Sequence, residues 1–153
     1  MRVGIGYDMH RLKVGRRLIV GGVAIDHPTG LDGHSDADVL THAVIDAILG
    51  AAGLGDIGEL FAADDPQFED ASSLDLLSTA VEAVIAAGFR IINVDSTVIA
   101  EEPRLGPHLQ AMKGNLAQRL ETDHVSVKAT SPEGLGALGR KAGIAAQAVA
   151  LLE

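Results

Sequence analysis

The run from Ala142 to Leu152 constrains this chain most, because it holds 11 consecutive uncharged residues that are nearly all small and apolar. It is shorter than the roughly 18 residues a bilayer-spanning helix needs, so it predicts burial inside protein. Such a run suits a helix or a strand with apolar side chains on both faces, and we read it as a strand. A sheet containing that strand must be covered on both sides, and a single domain of 153 residues has no further layer to supply. Self-association is therefore expected to cover the second face.

The rest of the pattern supplies the sheet's partners. Val3, Ile5 and Tyr7 alternate with Gly4 and Gly6, which predicts a first strand, and Leu18-Ile19-Val20 and Val23-Ala24-Ile25 flank Gly21-Gly22 as a hairpin. Polar turn residues follow from Asp26 to Ser35. Val39, Leu40, Ala43, Val44, Ala47 and Ile48 then recur at helical spacing up to about Ala51, before Gly53. Ser72 stands three residues before Asp75, as in a capping box, and opens a second helix over Leu74, Leu77, Val81, Val84 and Ile85 that Gly88 stops. Arg90 to Ala100 reads as a long strand, Pro107 opens a third helix through Leu109, Met112, Leu116 and Leu120, and Val125 to Thr130 is another strand. The expected fold is one α+β domain over residues 1–153, a mixed sheet with helices packed on one face.

Composition narrows the function. With 12 basic against 21 acidic residues the formal charge is −9, which opposes a phosphate backbone, and the few aromatics give single strands little to stack on. Nucleic acid and membrane are not expected partners. Cysteine is absent, so a zinc ion would have to be held by histidine and carboxylate. The N-terminal residues reach a charge before a secretory signal's apolar run can develop, and a cytoplasmic location is expected.

Asp8 and His10 stand two apart at the end of the first strand, so their side chains share a face and can share an ion. On the first helix Asp38, His42 and Asp46 follow at four-residue steps, making His42 the candidate third ligand. The plain alternative is a turn cap beside a solvated polar face. Three such groups would leave a fourth tetrahedral position open, as in catalytic zinc sites. His34-Ser35-Asp36 precedes that helix where an anion is favoured, with Asp36 the natural N-cap. The glycine-rich Gly53 to Gly58 lets backbone approach a ligand but lacks a Walker lysine. In Lys128-Ala129-Thr130-Ser131-Pro132-Glu133 the hydroxyls can donate to phosphate, Glu133 can hold Mg²⁺, and Arg140 beyond can pair with an anion; an ordinary solvated loop would look the same.

Gly6-Tyr7-Asp8-Met9-His10, Gly21-Gly22-Val23, His34-Ser35-Asp36-Ala37-Asp38, His42-Ala43, Leu54-Gly55-Asp56-Ile57-Gly58, Asn93-Val94-Asp95, Val127-Lys128-Ala129-Thr130 and Gly139-Arg140 follow in an order that resembles the 2-C-methyl-D-erythritol 2,4-cyclodiphosphate synthase family along essentially the whole chain. The resemblance implies a homotrimer with active sites between neighbouring subunits, zinc on Asp8, His10 and His42, and Mg²⁺ (or Mn²⁺) reached by Glu133. It implies that His34 and Ser131 steady the transition state and that Asp56 and Gly58 meet the ribose hydroxyls. Ala100 to Gly106, including Arg104 and Leu105, would form the cytosine pocket with Ala129 and Ser131, and Ser35 would contact the methylerythritol end. Met9, Ile57, Phe61, Asp65, Thr130 and Arg140 complete the implied substrate contacts.

The implied reaction is an intramolecular phosphoryl transfer, classed as a phosphorus-oxygen lyase. It converts 4-diphosphocytidyl-2-C-methyl-D-erythritol 2-phosphate to the cyclic diphosphate and CMP in non-mevalonate isoprenoid biosynthesis. The chain departs from the family pattern at Ala62-Ala63, where one carboxylate is lost, at Pro132 in place of a hydroxyl residue, and at Ala137-Leu138, where an aromatic is missing. Ile5, Arg140 and Gln147 stand where some members bind an isoprenoid diphosphate on the trimer axis, and only the arginine is retained, so that site is not expected. Two alternatives stand beside this reading. One is a zinc-dependent phosphohydrolase acting on nucleotide diphosphates; the other is a weakly active paralogue that binds cytidine nucleotides.

Overall fold

The computed structural model describes residues 1–62 and 65–153. Ala63, one of the departures named above, lies outside the described residues. Strand β1 (Arg2–Val14) is followed by β2 (Leu18–Val20), β3 (Val23–Ile25) and β4 (Thr29–Leu31), then by helices α1 (Val39–Ala52), α2 (Ile57–Leu60) and α3 (Ser73–Ala86). Strand β5 (Ile91–Ile99), helix α4 (Leu109–Leu120), strand β6 (Val125–Thr130), the short helix α5 (Gly136–Gly139) and strand β7 (Gly143–Leu152) complete the order. The sheet runs β4-β1-β7-β5-β6, parallel only between β5 and β6, with β2 and β3 as a separate hairpin. The mixed α+β architecture and the C-terminal strand are as expected.

Helix α1 packs on β1 and β7, α4 packs on β6, and α3 joins the two helices. Gly4 and Gly6 explain how α1 comes so close. A Cβ at Gly4 would lie 2.0 Å from the Ala47 carbonyl oxygen, and one at Gly6 would lie 1.8 Å from that of Ala43. The alternation in β1 is therefore a docking groove for the helix backbone. On the other face of β1, Val3, Ile5, Tyr7 and Met9 are more than half exposed.

Several local expectations change. β1 continues to Val14, because its second half pairs with β4, a strand hidden among the polar turn residues. In β7, Ile144, Ala146, Ala148, Ala150 and Leu152 are buried, while Gln147 and Val149 are exposed. Gly143 and Ala145 are buried too, so in the single chain this strand is covered on both sides at its start and on one side only from Gln147 onward. Ser72 makes no side-chain cap bond to α3. Among the described residues no helix is long and apolar enough to cross a membrane.

Candidate functional site

Asp8 and His10 lie inside β1, opposite Ala146 and Ile144 of β7, and not at the strand's end as expected. Like Gly4 and Gly6 they point toward α1, one turn into which stands His42. Asp8 Oδ2 lies 2.8 Å from His10 Nε2 and 3.0 Å from His42 Nδ1, and the two ring nitrogens are 3.1 Å apart. The edges of a tetrahedral site with bonds of about 2.0–2.1 Å are about 3.3–3.4 Å, so a small outward movement would seat one ion on the three atoms. They form a candidate metal cluster on donor chemistry as well as distance.

The opposite edge of each ring is held too. His10 Nδ1–H donates to the Asp32 carbonyl at 3.1 Å, so Nε2 is the ring nitrogen that faces Asp8. His42 Nε2–H reaches Ser73 Oγ at 2.8 Å, with Ser35 Oγ at 3.1 Å, and the Ser73 hydroxyl in turn donates to Asp36. This is the outer-shell pattern that fixes ring orientation in metal sites. Burial opposes the ionised form of Asp8, yet hydrogen bonds from the two histidines outweigh it and hold the carboxyl far below its usual range. Burial likewise works against protonated His10, and the hydrogen bond to Asp8 reverses the balance and raises it.

The four-residue stripe on α1 is not a solvated face. Asp38 is fully buried and, in place of Asp36, serves as the N-cap, accepting from Thr41 N–H. Its carboxylate also accepts from Thr41 Oγ and from the backbone N–H groups of Gly21 and Gly22. Both hairpin glycines have positive φ, +56° and +70°, which turns their N–H groups onto one carboxylate. Asp46 accepts from Ile57 N–H at 2.8 Å and so ties α2 to α1.

A cavity of about 240 Å³ opens over the cluster, lined by Asp8, His10, His34, Ser35, His42, Ile57, Gly58, Phe61, Phe68 and Leu76. It gathers most of the residues expected around a metal-bound phosphate. Asp56 stands at its margin as the cap of α2, accepting from Glu59 N–H. Met9 does not join it, because neighbouring residues on a strand point to opposite faces. The Asp65 carboxylate is engaged by Gln67, and it is the Asp65 carbonyl that meets His34 Nε2, at 3.2 Å.

A second cavity, about 370 Å³, is lined by Ala100, Glu101, Pro103, Arg104, Leu105, Gly106, Ala129, Thr130 and Ser131. Glu101, within the expected run Ala100 to Gly106, accepts from Ser131 Oγ and Gly134 N–H, both at 3.2 Å, and thereby shapes the loop. Glu133, two residues beyond Ser131, and Arg140, at the end of α5, are exposed. Asp8 and Ala129 share one row of the sheet, through Ala146 and Val98. Three strand spacings separate them, about 14 Å, so within one chain His34 and Ser131 line different cavities.

The contacts that sequence reasoning missed, Ser73 and Asp36 behind His42 and the bond from Ser131 to Glu101, join residues about 30 or more positions apart. No local pattern announces such partners.

A model of the YgbB family matches residues 1–153. The chain is 59% identical over 155 residues to the 2-C-methyl-D-erythritol 2,4-cyclodiphosphate synthase of Syntrophomonas wolfei, covering 100% of this chain and 99% of that protein. It is 56% identical over 155 residues to the synthase of Enterococcus faecalis, with the same coverage. A solved synthase structure in a CDP-bound form superposes with a TM-score of 0.90 at 36% identity, covering 99% of this chain and 100% of that one.

Proposed function

The chain belongs to the YgbB family of 2-C-methyl-D-erythritol 2,4-cyclodiphosphate synthases, and on that premise we propose that it converts 4-diphosphocytidyl-2-C-methyl-D-erythritol 2-phosphate to the 2,4-cyclodiphosphate and CMP. The observation that carries the proposal is the convergence of Asp8, His10 and His42 at the floor of a cavity walled by His34, Ser35 and the α2 backbone. Two imidazoles and a carboxylate, with no thiolate in the chain, suit zinc.

In this reaction a 2-phosphate oxygen forms a bond to the β-phosphorus while the bridge to the α-phosphate breaks, its electron pair leaving with CMP. The nucleophile is already ionised, so no general base is required, and positioning and charge neutralisation carry the rate. Zinc on the cluster and Mg²⁺ or Mn²⁺ reached by Glu133 supply Lewis acidity toward the phosphate oxygens when bound. In the free chain His34 Nε2–H donates to the Asp65 carbonyl and Ser131 Oγ–H to Glu101; with substrate bound, each exchanges that acceptor for an oxygen of the transferring phosphate. The α2 entrance at Asp56, Ile57 and Gly58 receives the ribose. The second cavity receives cytosine, a role supported by the CDP held by a relative of the same fold. Ser35, Phe61, Asp65 and Arg140 belong to the same substrate path, as do Met9 and Thr130 through their backbone.

Because the two cavities lie three strands apart, a complete site requires one from each of two neighbouring copies. The apolar open face of the sheet supports a homotrimer in which three such faces meet. We place the enzyme in the cytoplasm, with its soluble phosphorylated substrate.

Incubation of the purified protein with substrate, Zn²⁺ and Mg²⁺ in ¹⁸O-labelled water, read by mass spectrometry, tests the proposal. The expected products are CMP and an unlabelled cyclic diphosphate. Label in the product phosphates would make the protein a phosphohydrolase, and cytidine nucleotide binding without turnover would make it a binding paralogue.

A further inference from the structure

Arg16 is a side chain whose contacts the proposed reaction leaves unexplained. It sits between β1 and β2, behind the loop 31–36 and on the side away from the metal cluster. Gly15, with φ of +86°, turns the chain there, and Gly30 of β4 lets the turn close: a Cβ on Gly30 would lie 2.2 Å from the Arg17 carbonyl oxygen. This close approach aims the Arg16 guanidinium along the loop. Its Nε donates to the Leu31 carbonyl at 3.0 Å, and its Nη2 donates to the carbonyls of Gly33 at 3.3 Å and Ser35 at 2.7 Å. Nη1 meets Asp70 at 3.3 Å.

The three carbonyls alternate along the chain, so the intervening Asp32 carbonyl turns the other way, onto His10 Nδ1. The loop passes close to the same ring at Gly33, where an added Cβ would lie 3.2 Å from His10 Cε1. Ser35, at the loop's far end, puts its hydroxyl on His42 Nε2. One guanidinium therefore sets the loop that supports both histidines. A lysine has one compact ammonium and cannot serve three carbonyls spread over five residues, whereas the planar fork of arginine can.

We propose that Arg16 is a positioning residue of the metal centre, holding loop 31–36 so that Asp32 and Ser35 orient His10 and His42 for zinc. The proposal rests on the zinc reading of the Asp8, His10 and His42 cluster. Outer-shell partners of this kind change metal affinity by about 10–100-fold, and that is the loss expected for Arg16→Ala. Arg16→Lys should fail to rescue it, while Arg17→Ala, which removes an exposed neighbour of like charge, should bind as wild type.

Zinc affinity is measured by chelator competition on the full chain, and the Co²⁺-substituted proteins are compared by visible absorption, which reports ligand geometry independently of turnover. Weakened zinc binding with an altered Co²⁺ spectrum in both Arg16 variants, and neither change in Arg17→Ala, is the expected result. A lower melting temperature with wild-type affinity and spectrum would overturn the proposal, since Arg16 would then serve stability alone. Rescue by lysine would overturn it as well, showing that charge suffices. If wild-type protein binds no zinc, the metal reading itself fails and takes this proposal with it; if wild type binds and Arg16→Ala binds equally, only the role of Arg16 fails. Should Arg16→Ala not fold, Arg16→Lys, which keeps the charge and the aliphatic stem, decides.

Discussion

At the scale of single residues, Asp8 and His10 give the metal-free protein a pH signature. A carboxyl held below its ordinary value of 3.8 contributes stability that is complete above that value and is lost as pH falls through the folded one. A histidine raised above its ordinary 6.5 contributes stability that is complete below that value and is lost as pH rises through the folded one. The pair therefore supports the chelator-treated fold most between those limits. Denaturant melts across pH should show wild type losing stability toward both sides, and Asp8→Asn should flatten the profile; a constant difference between the two proteins would refute the assignment. At this scale the sequence was legible in residue type. Asp-x-His and a helical histidine, in a chain without cysteine, marked the three side chains that the fold brings together. Which carboxylate caps α1 was not legible, since Asp36 and Asp38 are both suited, and the choice is made by Gly21 and Gly22 offering their N–H groups to Asp38.

At the scale of elements, the contact between β1 and α1 decides whether those ligands meet. Gly6 faces the backbone at Ala43, next to His42, and a methyl group there collides with peptide atoms that cannot rotate away. Gly6→Ala should cost about 1–3 kcal/mol by overpacking. It should also weaken zinc binding although no ligand is touched, because the helix must retreat from the strand. Chemical denaturation and zinc titration check the two halves, and unchanged metal affinity would separate helix seating from the site. Periodicity made α1, α3, α4 and the long strands legible, since each presents one apolar face at a fixed repeat. It missed β4, α2 and α5. These are elements of three or four residues, shorter than the repeat that would reveal them, and β4 exists because the far half of β1 needs a partner.

At the scale of the whole molecule, the open sheet face holds Val3, Ile5, Tyr7 and Val149 at 69%, 73%, 51% and 45% exposure. That much apolar surface on one plane argues for a second copy against it. Wild-type protein should sediment as a trimer. Ile5→Glu, which places a charge opposite Val149, should yield a folded monomer that retains zinc and loses more than about tenfold in turnover, because in the proposed trimer each cluster works with a neighbour's second cavity. A wild-type monomer, or a variant that stays trimeric and active, would end that account. The apolar C-terminal run had already pointed to a covered sheet, and the structure refined it by leaving Gln147 and Val149 outward and the alternate residues inward. By itself the sequence determined the elements with a repeat and the residue types that cluster, and it carried the expectation of a covering partner, because side-chain direction within a strand or helix follows from local geometry. Only the tertiary structure decided that Ser73 and Asp36 stand behind His42, that Arg16 braces the loop behind His10, and that the two cavities lie three strands apart. Those contacts depend on how distant segments pack, and no spacing along the chain encodes them.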